Sequence, residues 1–323
     1  MKRRKILSVF ATTIAATLPA WAQQPGRTYR FGFVTPQARN TLQYVGLIEG
    51  LARLGFVEGK NLQIDDPGFN LKPEQYATHA KELVNSKVDL IFAGTGVPTL
   101  VVRETTKTVP IIVSADDMVG EGIVHSMARP GGNVTGVSLL AAELDGKRQE
   151  ILIELLPGIK KLAVLADAAV ASPKMLQEME SAGRKQGVDV VIYKVGGPAE
   201  IAPAIDAAKV TGAQALNVLA SVILFINRKT IFERAAALGL PAMYQWPEYV
   251  NEGAFTAYGP RFAKTYRDQM APIAAAIFNG AKPADVPVRQ PTTFELAINL
   301  KTAKTLGLTV PPSILARADE VIE

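Results

Sequence analysis

VDLIFAGTGVPTLVVRETTKTVPIIVSADDMVGEGIVHSMARPGGNVTGVS, residues 88–138, decides the fold. Residues 88–93 form an apolar run interrupted only by Asp89. That run suits a strand buried on both faces and is too short for a helix. Gly94-Thr95-Gly96 turns the chain, and residues 97–107 have the length of one covering helix. Pro110 breaks that helix, and Ile111-Ile112-Val113 is the next buried strand, ending in Ser114-Ala115-Asp116-Asp117. Two neighbouring parallel strands thus place Gly94, Thr95, Gly96, Ser114 and an acid pair at their carboxyl ends, the edge where open α/β sheets hold ligands. Arg129-Pro130-Gly131-Gly132-Asn133 forms a stiff, helix-ending turn. Residues 134–137 leave it as a short extended segment.

The same grammar runs outward in both directions. Upstream, residues 29–34 predict a first strand with exit loop Thr35-Pro36-Gln37. Tyr44, Leu47, Ile48, Leu51 and Leu54 then repeat at helical spacing. A strand at 62–64 and a helix opened by Pro73 follow. Downstream, strands are predicted at 162–166, 189–193, 215–219 and 241–244, separated by helices at 173–186, 199–209 and 224–238. Their exit loops carry Asp167, Ser221 and Gln245-Trp246-Pro247. Such alternation implies α/β architecture: two Rossmann-like lobes with parallel sheets and right-handed crossovers. Residues 255–258 read as a return strand, 264–278 as a long helix, and 294–299 as a last strand. The expected division is 28–136 plus 255–290 for lobe 1 and 137–254 plus 291–323 for lobe 2. The hinge would then be crossed three times, near Gly136, Gly253 and Pro291.

Composition sets the class. Of 323 residues, 48% are hydrophobic and 20% charged, which fits a well-packed α/β protein. Residues 1–22 are a separate object. Lys2-Arg3-Arg4-Lys5 is a basic start, residues 6–18 are mostly apolar or small, and Ala20-Trp21-Ala22 is an A-x-A site. This predicts a secretory signal peptide cleaved after Ala22, its apolar run well short of the roughly 20 residues that span a bilayer. The full chain carries +5. Loss of four leader cations, with no leader acid, brings the mature chain close to neutral, so its charge gives no argument for nucleic acid. Cysteine is absent, which excludes disulfides and a lipid-modified cysteine after the cleavage site. A free monomer in the periplasm, not itself membrane-spanning, is expected.

Each residue of the predicted strand-end cleft has two readings. Thr95 offers a hydroxyl and exposed backbone N–H groups at a helix start, a carboxylate cradle or an ordinary N-cap. Ser114 offers the same on the next strand. Asp116 and Asp117 can pair with a ligand ammonium or cap a helix beginning near Val119. Thr35, Gln37, Asp167 and Ser221 complete the polar candidates. Tyr244, Trp246 and Tyr258 are lids over an apolar group or core. Catalysis lacks support. His79 and His125 are the only histidines and fall in predicted helices, so no metal or other cofactor is expected. No G-x-S-x-G, P-loop or G-x-G-x-x-G pattern occurs.

The run ARPGGNVTGVS (128–138), preceded by TVPIIV and GEGIV, resembles the substrate-binding proteins of one bacterial ABC-transporter family, whose relatives include tryptophan- and tyrosine-type receptors. GLARLGFVEGKN (50–61) and FELAINLKTAKTLGLTVPPSILARADEVIE (294–323) extend the resemblance over nearly the whole chain after residue 28. It implies the type I periplasmic-binding-protein fold and a receptor, not an enzyme, that delivers a small-molecule ligand to an inner-membrane ABC permease. An amino acid, aromatic or branched, or a related carboxylate is the implied solute. Asp117 is the regular acid of its loop in that family, while Met118 stands where a proline is usual. A periplasmic sensing module and an exported α/β enzyme are the alternatives.

Overall fold

A computed structural model describes residues 26–323; the expected signal peptide lies outside the described residues. The first sheet contains β1 (Tyr29–Val34), β2 (Leu62–Ile64), β3 (Leu90–Ala93), β4 (Ile111–Ala115) and β5 (Val134–Ser138). Its order is β2-β1-β3-β4-β5, all parallel. Helices α1 (Leu42–Arg53), α2 (Tyr76–Asn85) and α3 (Val97–Thr105) make the crossovers. Every residue of β3 and β4 is buried, as expected of strands covered on both faces.

The second half begins with α4 (Asp145–Leu155) and continues β6 (Lys161–Asp167), α5 (Pro173–Lys185), β7 (Asp189–Val195), α6 (Pro198–Val210) and β8 (Ala215–Val218). Then come α7 (Val222–Ile226), α8 (Arg228–Ala237), β9 (Ala242–Tyr244) and β10 (Thr256–Gly259). Next are α9 (Phe262–Thr265), a π-helical turn (Tyr266–Met270) and α10 (Ala271–Phe278). The chain ends with β11 (Glu295–Asn299), α11 (Leu300–Thr305), α12 (Pro312–Leu315) and β12 (Glu320–Ile322). The second sheet runs β12-β11-β10-β9-β8-β6-β7, and only the β10–β11 pair is antiparallel.

The chain passes between the halves three times. The first passage follows Ser138, because β5 stays in the first sheet through its pairing with β4. Gly136 lies inside that strand, where a Cβ would sit 1.9 Å from the Val113 carbonyl oxygen, so only glycine fits. The second follows Gly259, not Gly253. Residues 256–259 pair with β9 and β11 and so belong to the second sheet, which corrects the assignment of 255–259 to lobe 1. Helices α9 and α10 then return to the first half, packed on α1. The third passage follows Arg289, whose amide donates to Gly136 O at 3.0 Å beside β5. The long helix at 264–278 is correct in extent but carries a π turn, and the helix at 224–238 is divided at Asn227.

Candidate functional site

Each sheet has one point where its strand order reverses, and the loops leaving those points face each other. In the first sheet it lies between β1 and β3, in the second between β6 and β8. Open α/β sheets bind ligands there because the diverging loops leave a crevice. Here the crevice is a cavity of about 570 Å³ lined from both halves, within the range of roughly 300–1,000 Å³ usual for small-molecule pockets. Gln37, Gly94, Thr95, Gly96, Ser114, Asp116, Asp117, Asp167, Ser221 and Trp246 of the expected residues line it.

Thr35, Tyr244 and Tyr258 do not. Thr35 is wholly buried and its hydroxyl meets Tyr44 Oη at 2.6 Å, one layer behind the wall. Tyr244 packs edge-on against Phe232, ring centroids 4.7 Å apart. The next residue, Gln245, reaches the cavity instead, as alternation along an extended chain requires. The Tyr258 ring lies beside Phe294, and its backbone oxygen is occupied by Arg148.

The first-half wall combines hydroxyls that hold one another with carboxylates held by backbone amides. Thr95 donates to the Ser114 carbonyl at 2.8 Å, so its hydroxyl ties β3 to β4. It is not the N-cap of α3, which is Gly96. Ser114 Oγ lies 2.5 Å from Tyr266 Oη, and burial pushes that phenol up to about 12, keeping it protonated. Asp116 accepts from the Ala141 amide and, at 3.0 Å, from that of Ala142, pinning the end of β4 to the first passage. Asp117 accepts from Val119 and Gly120 amides at 3.1 and 2.8 Å. The expected helix at 119 is a run of turns, so neither acid caps a helix and His125 is not helical. Met118 is fully buried and anchors these turns in the core.

The second-half wall is aromatic and ionic. Trp246 stacks on Phe262 at 4.0 Å and 26°, and Phe225 meets Phe262 edge-on at 5.6 Å. Such a stack contributes about 1 kcal/mol beyond its burial. Phe262 and Tyr266 arrive on the helix that follows the second passage, so the plate depends on how the halves are joined. Ser221 caps α7 by accepting from Leu224 N at 3.2 Å. Asp167 accepts from Ala169 N through Oδ1 at 2.9 Å.

Behind this wall lies an ion pair that the sequence reading missed. Arg148 is wholly buried and its Nη1 donates to Asp145 Oδ1 and to Ala141 O, both at 2.6 Å. Its Nε donates to Tyr258 O at 2.7 Å. One guanidinium therefore joins the first passage to the strand that precedes the second. Asp145 lines the cavity and accepts from Ala220 N at 3.2 Å. Burial raises its carboxyl to about 6 while Arg148 pulls it down. In sequence the pair resembles a solvated i,i+3 couple. The available signal was spacing, since 145, 148, 152 and 155 fall on one helical stripe with Leu152 and Leu155.

Comparison with known proteins agrees with this architecture. Residues 33–322 match the family model described as ABC transporter substrate binding protein, and the chain belongs to that family of binding proteins. A tyrosine-binding protein from Clostridioides difficile is 26% identical over 266 residues, 81% of this chain and 76% of the relative. A conserved domain protein from Vibrio cholerae superposes with a TM-score of 0.79 and 26% identity, covering 91% of this chain and all of that one. A domain from Streptococcus pneumonia in complex with L-Trp gives a TM-score of 0.78 and 25% identity over 91% of this chain and all of that one. Among the described residues no helix is long and apolar enough to cross a membrane.

Proposed function

We propose that this protein is the periplasmic solute receptor of an ABC importer and that it closes on one small amino acid or related carboxylate. The observation that carries the reading is a single cavity whose walls come from the reversal points of two separate sheets. A solute touching both walls favours the shut arrangement, because only that arrangement offers both sets of contacts. The three passages are the bending points. Large apolar side chains that line the cavity stay exposed on the second-half side, Val170, Val222 and Ile226. Closure would remove them from water, a favourable term. The relatives that bind tyrosine and L-Trp, together with the Trp246–Phe262 plate, support an aromatic amino acid. The leader supports export, and the closed outer surface is what a permease would read.

The test is a thermal-shift panel followed by small-angle scattering. A cognate solute at 100 times its Kd should add about 2.7 kcal/mol and shrink the radius of gyration. Superimposable scattering profiles at saturation would rule out closure. No stabilisation by any amino acid, aryl acid, sugar or small peptide would rule out the receptor reading.

A further inference from the structure

We infer that the cleft selects its solute by an ammonium group carried on a flat apolar body, with Asp167 as the anchor, and that a carboxylate on the solute is dispensable. The inference rests on the receptor reading and narrows it to a ligand chemistry, the arylalkylamine unit.

Charge in the cavity is one-sided. Asp116, Asp117, Glu121, Asp145 and Asp167 all line it, and among the described residues no lysine, arginine or histidine does. Arg148 is the cation buried just behind, and its Nη1 and Nε are committed to Asp145 and to two backbone carbonyls. A ligand carboxylate entering this space meets several like charges. It finds only neutral donors, in the Gly94-Thr95-Gly96 loop and the Ser114–Tyr266 hydroxyl pair. An ammonium meets the reverse, and the faces of the aromatic plate attract it as well.

Within that ring of acids the individual commitments differ. Asp116 uses both oxygens on the Ala141 and Ala142 amides. Asp145 uses both on Arg148 and Ala220. Asp117 and Glu121 are exposed and shape the turn between them. Asp167 is 9% exposed and spends only Oδ1 on its own turn. Its Oδ2 accepts no hydrogen bond among the described residues while the side chain lines the cavity. That oxygen is left to whatever donor occupies the cavity, and an ammonium there would make a charge-assisted hydrogen bond with it. It also sits at the reversal point of the second sheet, where the apolar body would lie against Trp246.

The experiment is calorimetric titration of the mature protein with L-tyrosine, tyramine and 3-(4-hydroxyphenyl)propionate, which keep the ring and delete the carboxylate or the amine in turn. Tyramine should bind within about tenfold of tyrosine, and the acid about a hundredfold or more weaker. Asp167→Asn preserves an oxygen for the Ala169 turn, so it should leave the melting temperature in place and weaken both amines at least about tenfold. The inference is overturned if the acid binds as well as tyramine, if tyramine fails where tyrosine binds, or if Asp167→Asn leaves affinity unchanged. Should leucine or galactose stabilise the protein while all three aryl compounds fail, the inference falls and the receptor reading stands. Should no solute act at all, both fall.

Discussion

The two walls of the cleft are built on different physical principles. On the first-half side, neutral hydroxyls and turn amides satisfy one another: Thr95 to the Ser114 carbonyl, Ser114 to Tyr266, Thr35 to Tyr44. The largely buried acid there, Asp116, is held by the Ala141 and Ala142 amides. On the second-half side a buried guanidinium holds three partners, and an aromatic plate is completed only by Phe262 from beyond the second passage. The first wall is a preset surface. On the proposed reading, the second links solute contact to the way the halves are joined.

The largest expected effect falls on the ionic node. Arg148→Met should destabilise the protein by about 3–5 kcal/mol, since it leaves Asp145 buried without its partner. Adding Asp145→Leu should restore more than half of that loss in urea unfolding. A cost under about 1 kcal/mol for the single change would show that the second wall is no more charge-dependent than the first. Next comes the plate. Trp246→Ala should cost about 3 kcal/mol of stability and at least about tenfold in solute affinity, while Trp246→Phe retains most of both. On the opposite wall Thr95→Val should cost about 1 kcal/mol, the net worth of one hydrogen bond, and less affinity than Trp246→Ala. If Thr95→Val proves the more damaging of the two, the division of labour between the walls is reversed.

The smallest effect is a pH dependence to which both halves contribute with the same sign. Asp145 in the fold titrates near 6, above its ordinary 3.8. The native state therefore binds more protons than the unfolded chain between those values, and stability grows as pH falls through that window. In the first half, the hydrogen bond that His79 Nε2–H donates to Asp65 Oδ2 at 2.8 Å raises the imidazole above 6.5. That contribution is fully present below 6.5 and is lost as pH rises through the folded value. The unliganded protein should accordingly melt a few degrees higher at about pH 5.5 than at pH 8. His79→Gln and Asp145→Asn should each flatten the curve. A melting temperature that rises with pH would contradict both assignments.

The strands were legible because each is an apolar run cut off by glycine, proline or an acid, a local signal. Gly94-Thr95-Gly96, Ser114 and Trp246 followed from them, since strand-end loops need no knowledge of the partner sheet. What was not legible depends on long-range pairing. Residues 256–259 read as a strand but carry no mark of which sheet they join; Gly259 tolerates no side chain because a Cβ would lie 2.0 Å from Gln245 O, a contact made only in the second sheet. Phe262 and Tyr266 are ordinary residues of an amphipathic helix until that helix crosses to α1. Tyr244 and Tyr258 were misjudged by strand parity alone. β12 was overlooked because Glu320–Ile322 is only three residues long and none of them is buried.

Trp246 gives the most direct test, because it is the single tryptophan among the described residues and lies in the wall itself. Titration of the mature protein with L-tyrosine, exciting only the indole, should give a saturable change in Trp246 emission at one equivalent, with Asp167→Asn shifting the midpoint upward. Emission that stays flat while calorimetry records tight binding would place the solute elsewhere and contradict a cleft that closes between the two sheets.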